Sequence, residues 1–479
     1  MLDWLAFSPF LLFVVAVALL FDFYNGLHDA ANSIATVVAT RALPVWGALI
    51  MASFFNFLGA FAGTAVAAAI GKGLIEPSVV TTQVVLAALL GAIFWSVLTV
   101  ILGIPISSSQ SLIGGLLGAG LAAAGFGAIQ TPPEGELALL GAILAQGAVA
   151  GAVAGLIVAF ATRTKWLTGL LIGGAVGSAV FLVGHILGDI YLPSTVLVAV
   201  ALGALLGLVV GLLRPGANKA GWILLGIFAF GFAAMALTML AGTAGWIAHL
   251  DDGLRGLLAH VGLSPSYHVL HVKTLVLHKL TATILFIAYS PFIGFCLAFG
   301  MLTFVTWAVH HLAPGRVNRV FRYMQIGSSS FYSHGHGRND AQKTMGVITA
   351  LLVANGKLTS FDVPFEVVVA CGVAIALGTL IGGHRIVKTM GGKLTHLDPT
   401  QGFASETSSA IVLTFLADKG VPVSTTHSIT GSILGVGTYR RASAVSWGVA
   451  RRIVTAWIIT IPLAAGVAAL CFWALDLVL

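Results

Sequence analysis

Two stretches of this chain set carboxylates and amides inside otherwise apolar sequence. The first is Asn25-Gly26-Leu27-His28-Asp29-Ala30-Ala31-Asn32, and the second is His336-Gly337-Arg338-Asn339-Asp340-Ala341-Gln342-Lys343. A charge at the centre of a bilayer costs roughly 2.5–3.5 kcal/mol on insertion scales, so each aspartate asks for a functional reason. Each stretch has a companion downstream: Pro105-Ile106-Ser107-Ser108-Ser109 and Pro422-Val423-Ser424-Thr425-Thr426-His427. The two aspartates and the two prolines are separated by nearly the same length of chain, which reads as duplication of an entire half. Paired helix interruptions at corresponding places in two halves point to a transporter's binding site. Glycine and proline are expected to break four elements here, at Asn25-Gly26, at Gly337 and at the two prolines. Half-helix ends carry partial positive charge and attract anions. Serine and threonine hydroxyls add neutral donors that rotate to fit a tetrahedral oxyanion. The aspartates would repel a naked anion, so a bound cation or proton must accompany it. The combination reads as an oxyanion–cation symporter.

The rest of the chain must hold these residues in a membrane. Of 479 residues, 58% are hydrophobic and 8% charged, and the mean hydropathy is +1.03. A soluble domain carries about 25% charged residues. Apolar runs of helical spanning length recur and the alternation of a barrel is absent, so the fold class is an all-α polytopic membrane protein. The net charge of +7 does not signal nucleic acid. Its Lys and Arg lie in short loops between apolar spans, and no basic stripe with interleaved aromatics occurs. Cys296, Cys371 and Cys471 sit in apolar runs without metal-ligand spacing and read as buried thiols. The apolar run 6–20 lacks a positive n-region and a cleavage site, so it reads as a first span rather than a signal peptide.

Spans are expected at 6–24, 44–71, 80–103 and 112–129, then at 137–162, 165–187, 194–213, 220–248 and 279–309. The second half repeats the pattern, with a span around the second motif, others at 363–383, 401–416 and 453–475, and one from Pro422 to Arg440. The segment His384–Lys393 reads as a basic loop. The resulting division is a first inverted-topology repeat at 1–136, a four-span insertion at 137–262, a connecting span and basic loop at 263–322, and a second inverted repeat at 323–479. Loops alternate in charge: Arg41, Arg316–Arg322 and Arg440–Arg452 fall inside, and Glu134–Glu136 and both termini fall outside. Re-entrant hairpins and full spans around Pro105 and Pro422 fit this parity equally.

On Gly26–Asn32, Gly337–Ala341, the Pro-Ile-Ser-Ser-Ser run and the Pro-Val-Ser-Thr-Thr-His run, the chain resembles the inorganic phosphate transporter (PiT) family over about 1–130 and 270–479. That resemblance implies a homodimeric secondary transporter of inverted repeats in the cytoplasmic membrane, moving phosphate with sodium or protons. It assigns phosphate binding to Asn25, Asp29, Asn32, Ser107, Ser108, Ser109, Asn339, Asp340, Ser424, Thr425 and Thr426. Two positions depart from the sodium-coupled pattern. His28 and Lys343 stand where those members have Asn, and both changes resemble the bacterial proton-coupled branch. The coupling set is therefore His28, Asp29, Asp340, Lys343, Glu406 and His427. Phosphate is expected either free or as a divalent metal complex, and no resident cofactor or metal is expected.

Blander roles compete. Asp29 and Asp340 could cap helices. Ser107–Ser109 and Ser424–Thr426 could bond their own helices. Lys343 could serve only to pair with Asp340. His334 and His336 make too sparse a pair for a metal site. The rival functions are sodium coupling, sulfate as substrate, a channel, and a membrane-embedded phosphohydrolase. An enzyme needs a nucleophile beside a base, and His427 with Thr426 and Ser428 is the one candidate. Adjacent helical residues do not face each other.

Overall fold

The structure is a computed structural model, and it describes residues 4, 7–129, 279–382 and 384–478. Met1–Thr131 and His278–Leu479 form one compact unit. The insertion expected at 137–262 lies outside the described residues. In chain order the helices are α1 (Pro9–Ala39), α2 (Val45–Ala60), α3 (Ala65–Gly73), α4 (Thr82–Leu102) and α5 (Ser108–Ala124). After the undescribed segment come α6 (Lys279–Val309), α7 (Pro314–Ala354), α8 (Phe365–Ile381), α9 (His384–Lys388), α10 (Pro399–Asp418), α11 (Thr425–Arg440) and α12 (Trp447–Asp476). Helices α1, α4, α5, α6 and α12 are long and apolar enough to cross a membrane. Helices α7, α10 and α11, which bury the polar residues of the second half, fall outside that set.

The expected break at Asn25-Gly26 does not occur. Helix α1 runs through it without interruption, and α7 likewise runs through Gly337. A glycine inside a helix costs only about 1 kcal/mol, and here its missing Cβ lets two backbones touch. A Cβ on Gly26 would overlap the carbonyl oxygen of Ile375 in α8, and one on Gly337 would overlap that of Asn56 in α2. Both motif glycines are helix contacts, the close approach that small residues permit between membrane helices. The span expected at 44–71 is bent instead, α2 and α3 meeting at 71° around Gly63 with φ 131°. The expected basic loop at His384–Lys393 is helical, α9 followed by a π-turn at Thr389–Lys393.

The two proline breaks are real and use one device. Gly103, left-handed at φ 67°, ends α4. Pro105 follows, and the Ser107 hydroxyl caps α5 by accepting the Gln110 N–H. Gly420, at φ 69°, follows α10. Pro422 comes next, and Ser424 caps α11 by accepting the His427 N–H. An Asp398–Gln401 capping box starts α10. The helices pack in pairs distant in sequence: α1 lies on α8, α7 on α2, α5 on α12 and α11 on α6. One apolar core joins Val14, Phe21 and Ile113 of the first half to Met345, Ile348 and Ile375 of the second.

Candidate functional site

The site is built where α1 and α7 meet the first turns of α5 and α11. Asp29 and Asp340 are both fully buried. The Ser108 hydroxyl lies between them, 3.2 Å from Asp29 Oδ2 and 3.4 Å from Asp340 Oδ2. Thr425 Oγ1 donates to Asp29 Oδ2 at 3.3 Å and Thr426 Oγ1 to Asp29 Oδ1 at 3.4 Å. His28 Nδ1 is 2.7 Å from Asp29 Oδ1, and Asn32 Nδ2 donates to Thr426 Oγ1 at 2.8 Å. Around Asp340, Lys343 Nζ donates to Oδ1 at 2.6 Å and also to the Ser109 hydroxyl. Asn339 Nδ2 donates to Asp340 Oδ1 at 2.9 Å and to the Val423 carbonyl at 2.8 Å, which pins the segment before α11. Two helix N-termini, with their partial positive charge, thus converge on two carboxylates and one ammonium.

His336 joins the site from one helical turn before Asp340. Its Nε2 lies 3.4 Å from Asp340 Oδ2 and 3.8 Å from Asp29 Oδ2, and its Nδ1 is 3.0 Å from Asn56 Oδ1. Tyr332 stacks on its ring, and the Tyr332 hydroxyl donates to the Thr425 carbonyl at 3.2 Å. Asp29, His336 and Asp340 each present one ligand atom within 4.8 Å of the others. Two carboxylate oxygens and an imidazole nitrogen suit a divalent cation.

These motifs also carry the family relationship. The family model described as "Phosphate transporter family" matches residues 25–184 and 135–468. The chain belongs to the phosphate transporter family. It is 39% identical over 472 residues to a Rhizobium meliloti protein named "Probable low-affinity inorganic phosphate transporter", with 98% of each chain covered. A Bacillus subtilis protein of the same name is 30% identical over 468 residues, 97% of each chain. The fold resembles a solved structure described as "The sodium-dependent phosphate transporter", at TM-score 0.57 and 22% identity, covering 98% of this chain and 100% of that one. This phosphate transporter is therefore a multi-pass membrane protein, and its relatives are named transporters and permeases rather than enzymes.

Within this phosphate transporter, ten of the expected residues join one network: His28, Asp29, Asn32, Ser108, Ser109, Asn339, Asp340, Lys343, Thr425 and Thr426. The hydroxyls of Ser107 and Ser424 accept the Gln110 and His427 N–H groups at the starts of α5 and α11. Asn25 is buried one turn before Asp29, and neither of its amide atoms has a hydrogen-bond partner. Glu406 forms a separate cluster. Its carboxylate accepts from the hydroxyls of Thr36 and Ser328 and from Gln325 Nε2 at 3.1 Å, while Gln325 Oε1 accepts from Thr40 at 2.7 Å. His427 bonds neither aspartate. Its Nδ1 is 2.9 Å from the Ile287 carbonyl, and its ring lies against Trp457.

Several participants escaped the sequence reading. His336 was weighed only with His334, although its i,i+4 spacing to Asp340 places both on one face. Thr36, Gln325 and Ser328 carry no local signal, because two other helices, α1 and α7, bring them to Glu406. Asp22 was legible: it is an acid in an apolar span, seven residues before Asp29, and the rule that singled out Asp29 applies to it equally.

Proposed function

We propose that this transporter is a secondary active symporter that carries inorganic phosphate into the cell with protons, between two repeats of inverted topology. The observation that carries the reading is the meeting of the α5 and α11 N-termini with Asp29 and Asp340 at Ser108. Phosphate would exchange with the hydrogen bonds that Ser108, Thr425 and Thr426 make to the carboxylates and that Ser109 accepts from Lys343. Asn25, Asn32, Ser107, Asn339 and Ser424 complete the proposed phosphate-binding set. Lys343 supports proton over sodium coupling, since its ammonium fills the second-half place that Asn32 holds in the first. A point charge within a few ångströms in a dry site strongly opposes a second cation. His28 and Glu406 are the proposed proton carriers. Asp29 and Asp340 belong to the same coupling set, and His427 is its outlying member. The driving force suffices: a charge crossing the membrane yields about 2.3 kcal/mol per 100 mV, enough for roughly a forty-fold gradient at about 1.4 kcal/mol per tenfold.

The proposal includes phosphate carried as a divalent metal complex, the metal being cargo. The proposal extends to a homodimer in the cell membrane with both termini outside. A second reading is sodium coupling. It is favoured by the oxygens gathered at Glu406 by Thr36, Ser328 and Gln325, and a related fold is described as sodium-dependent. The deciding experiment is radiolabelled phosphate uptake into proteoliposomes with proton, sodium and magnesium gradients imposed separately and sulfate as competitor. Accumulation in sodium-free liposomes that a protonophore collapses supports the proton reading. Accumulation only with an inward sodium gradient establishes the second reading instead.

A further inference from the structure

We infer that Asp22 is a proton-binding site of the transport cycle, lying at the seam between the two halves beside the phosphate network. This rests on the proton reading above and names a further carrier for it. Asp22 stands two turns before Asp29 and one before Asn25 on α1, so the three share a helix face. It is fully buried, and neither carboxylate oxygen has a hydrogen-bond partner. Both amide atoms of Asn25 and the Thr344 hydroxyl on α7 are also without partners. Asn25 and Thr344 are the polar side chains that Asp22 faces. Asp340 and Lys343 of α7 and the Cys371 thiol of α8 are the titratable groups around it.

Structural roles do not account for this carboxyl. It lies in the interior of α1, so it caps nothing. Lys343 is engaged by Asp340 and Ser109, so Asp22 is not its hydrogen-bonded counter-ion. The corresponding residue of the second half is Ser333, seven before Asp340, and its hydroxyl bonds the Ser329 carbonyl of its own helix. Anion binding by the duplicated motifs therefore does not require an acid here.

An ionised carboxylate is costly in a dry interior, even with the Asn25 amide and the Thr344 hydroxyl beside it. Taking up a proton removes the charge and creates an O–H that can donate to Asn25 Oδ1 or Thr344 Oγ1. A proton suits the place better than sodium, because a thiol and an ammonium stand among the neighbours and only a few oxygens do. The location couples the site to movement. Asp22 is one turn from the Gly26–Ile375 approach of α1 and α8, so displacement of one half against the other changes its access to water. The proton loads from one side of the membrane and leaves as H⁺ on the other, accompanying phosphate.

The test uses the full-length transporter and its Asp22→Asn and Asp22→Glu variants in proteoliposomes with radiolabelled phosphate. One assay reads phosphate exchange at equal pH on both sides, and the other reads accumulation under an inward proton gradient without sodium. Asp22→Asn is expected to keep exchange and to lower accumulation by roughly tenfold or more, equivalent to about 1.4 kcal/mol of lost drive. Asp22→Glu, which still titrates, is expected to retain accumulation. Asp22→Asn accumulating like the parent overturns the assignment and leaves the proton reading intact. Loss of exchange in both variants overturns it as well, since that marks a structural role. If the parent itself accumulates nothing under the proton gradient, the proton reading falls and this assignment falls with it.

Discussion

Asp29 and Asp340 hold equivalent places on α1 and α7, yet different partners surround them. Asp29 is held by His28 and by the hydroxyls of Ser108, Thr425 and Thr426. Asp340 carries a buried ammonium, Lys343, as well as the Asn339 amide. The residue three positions after each aspartate reaches across to the other half's break. Asn32 donates to Thr426, and Lys343 donates to Ser109, the equivalent hydroxyl of the first half. The hydrogen-bonding frame is thus duplicated and crossed, while the charges are not. Asp22 of the first half has Ser333 at the corresponding place of the second, and Lys343 of the second has Asn32 at the corresponding place of the first.

The largest expected effect separates the two aspartates. Asp340→Asn strands the Lys343 ammonium in the interior, which costs about 3–5 kcal/mol. Asp29→Asn removes an acceptor from hydrogen bonds to neighbouring side chains and costs about 1–3 kcal/mol. Both should abolish phosphate uptake, but thermal unfolding in detergent should fall much further for Asp340→Asn. Equal losses of stability would remove the contrast between the halves. Combining Asp340→Asn with Lys343→Met should recover most of the deficit, because replacing both members of a buried pair is often near neutral. A double variant as unstable as the single one would show that the pair is not the source of the cost.

Next come the crossing contacts that the two motifs share. Gly26→Ala and Gly337→Ala each drive a methyl group into a carbonyl of the opposite half, and overpacking of this kind costs about 1–3 kcal/mol. The two melting temperatures should drop by similar amounts; a tolerated alanine at either position would contradict the close packing. Asn32→Ala should cost about 1 kcal/mol for the Thr426 hydrogen bond, with a measurable rise in the phosphate KM. Smallest is Arg338→Ala. Arg338 pairs with Asp418, whose side chain is 55% exposed, and such pairs contribute about 0–1 kcal/mol. A large loss there would mean that this rim ion pair gates the site.

Caps and breaks at Pro105 and Pro422 were readable because each is a local event. Gly, Pro and a capping hydroxyl fall within a few residues, and backbone conformation answers to them directly. The same logic misread Gly26 and Gly337. Glycine permits a break but does not impose one, and the α8 and α2 carbonyls that explain these two glycines lie far along the chain. Ser107 and Ser108 are adjacent and alike in sequence, yet one caps a helix and the other bridges two carboxylates. Only the direction of each side chain in the folded first turn of α5 separates them.

By itself the sequence determined the all-helical membrane class, and its motifs pointed to most of the residues that meet at the site. Each follows from hydropathy, spacing or side-chain chemistry, which need no knowledge of neighbours. Tertiary structure alone decided which groups meet: Ser108 between Asp29 and Asp340, Lys343 on Ser109, Glu406 among Thr36, Gln325 and Ser328, and Asp22 facing Asn25 and Thr344. Those meetings depend on how helices from two halves pack against one another. Packing is settled by close contacts such as Gly26 on Ile375, between residues that no local pattern relates.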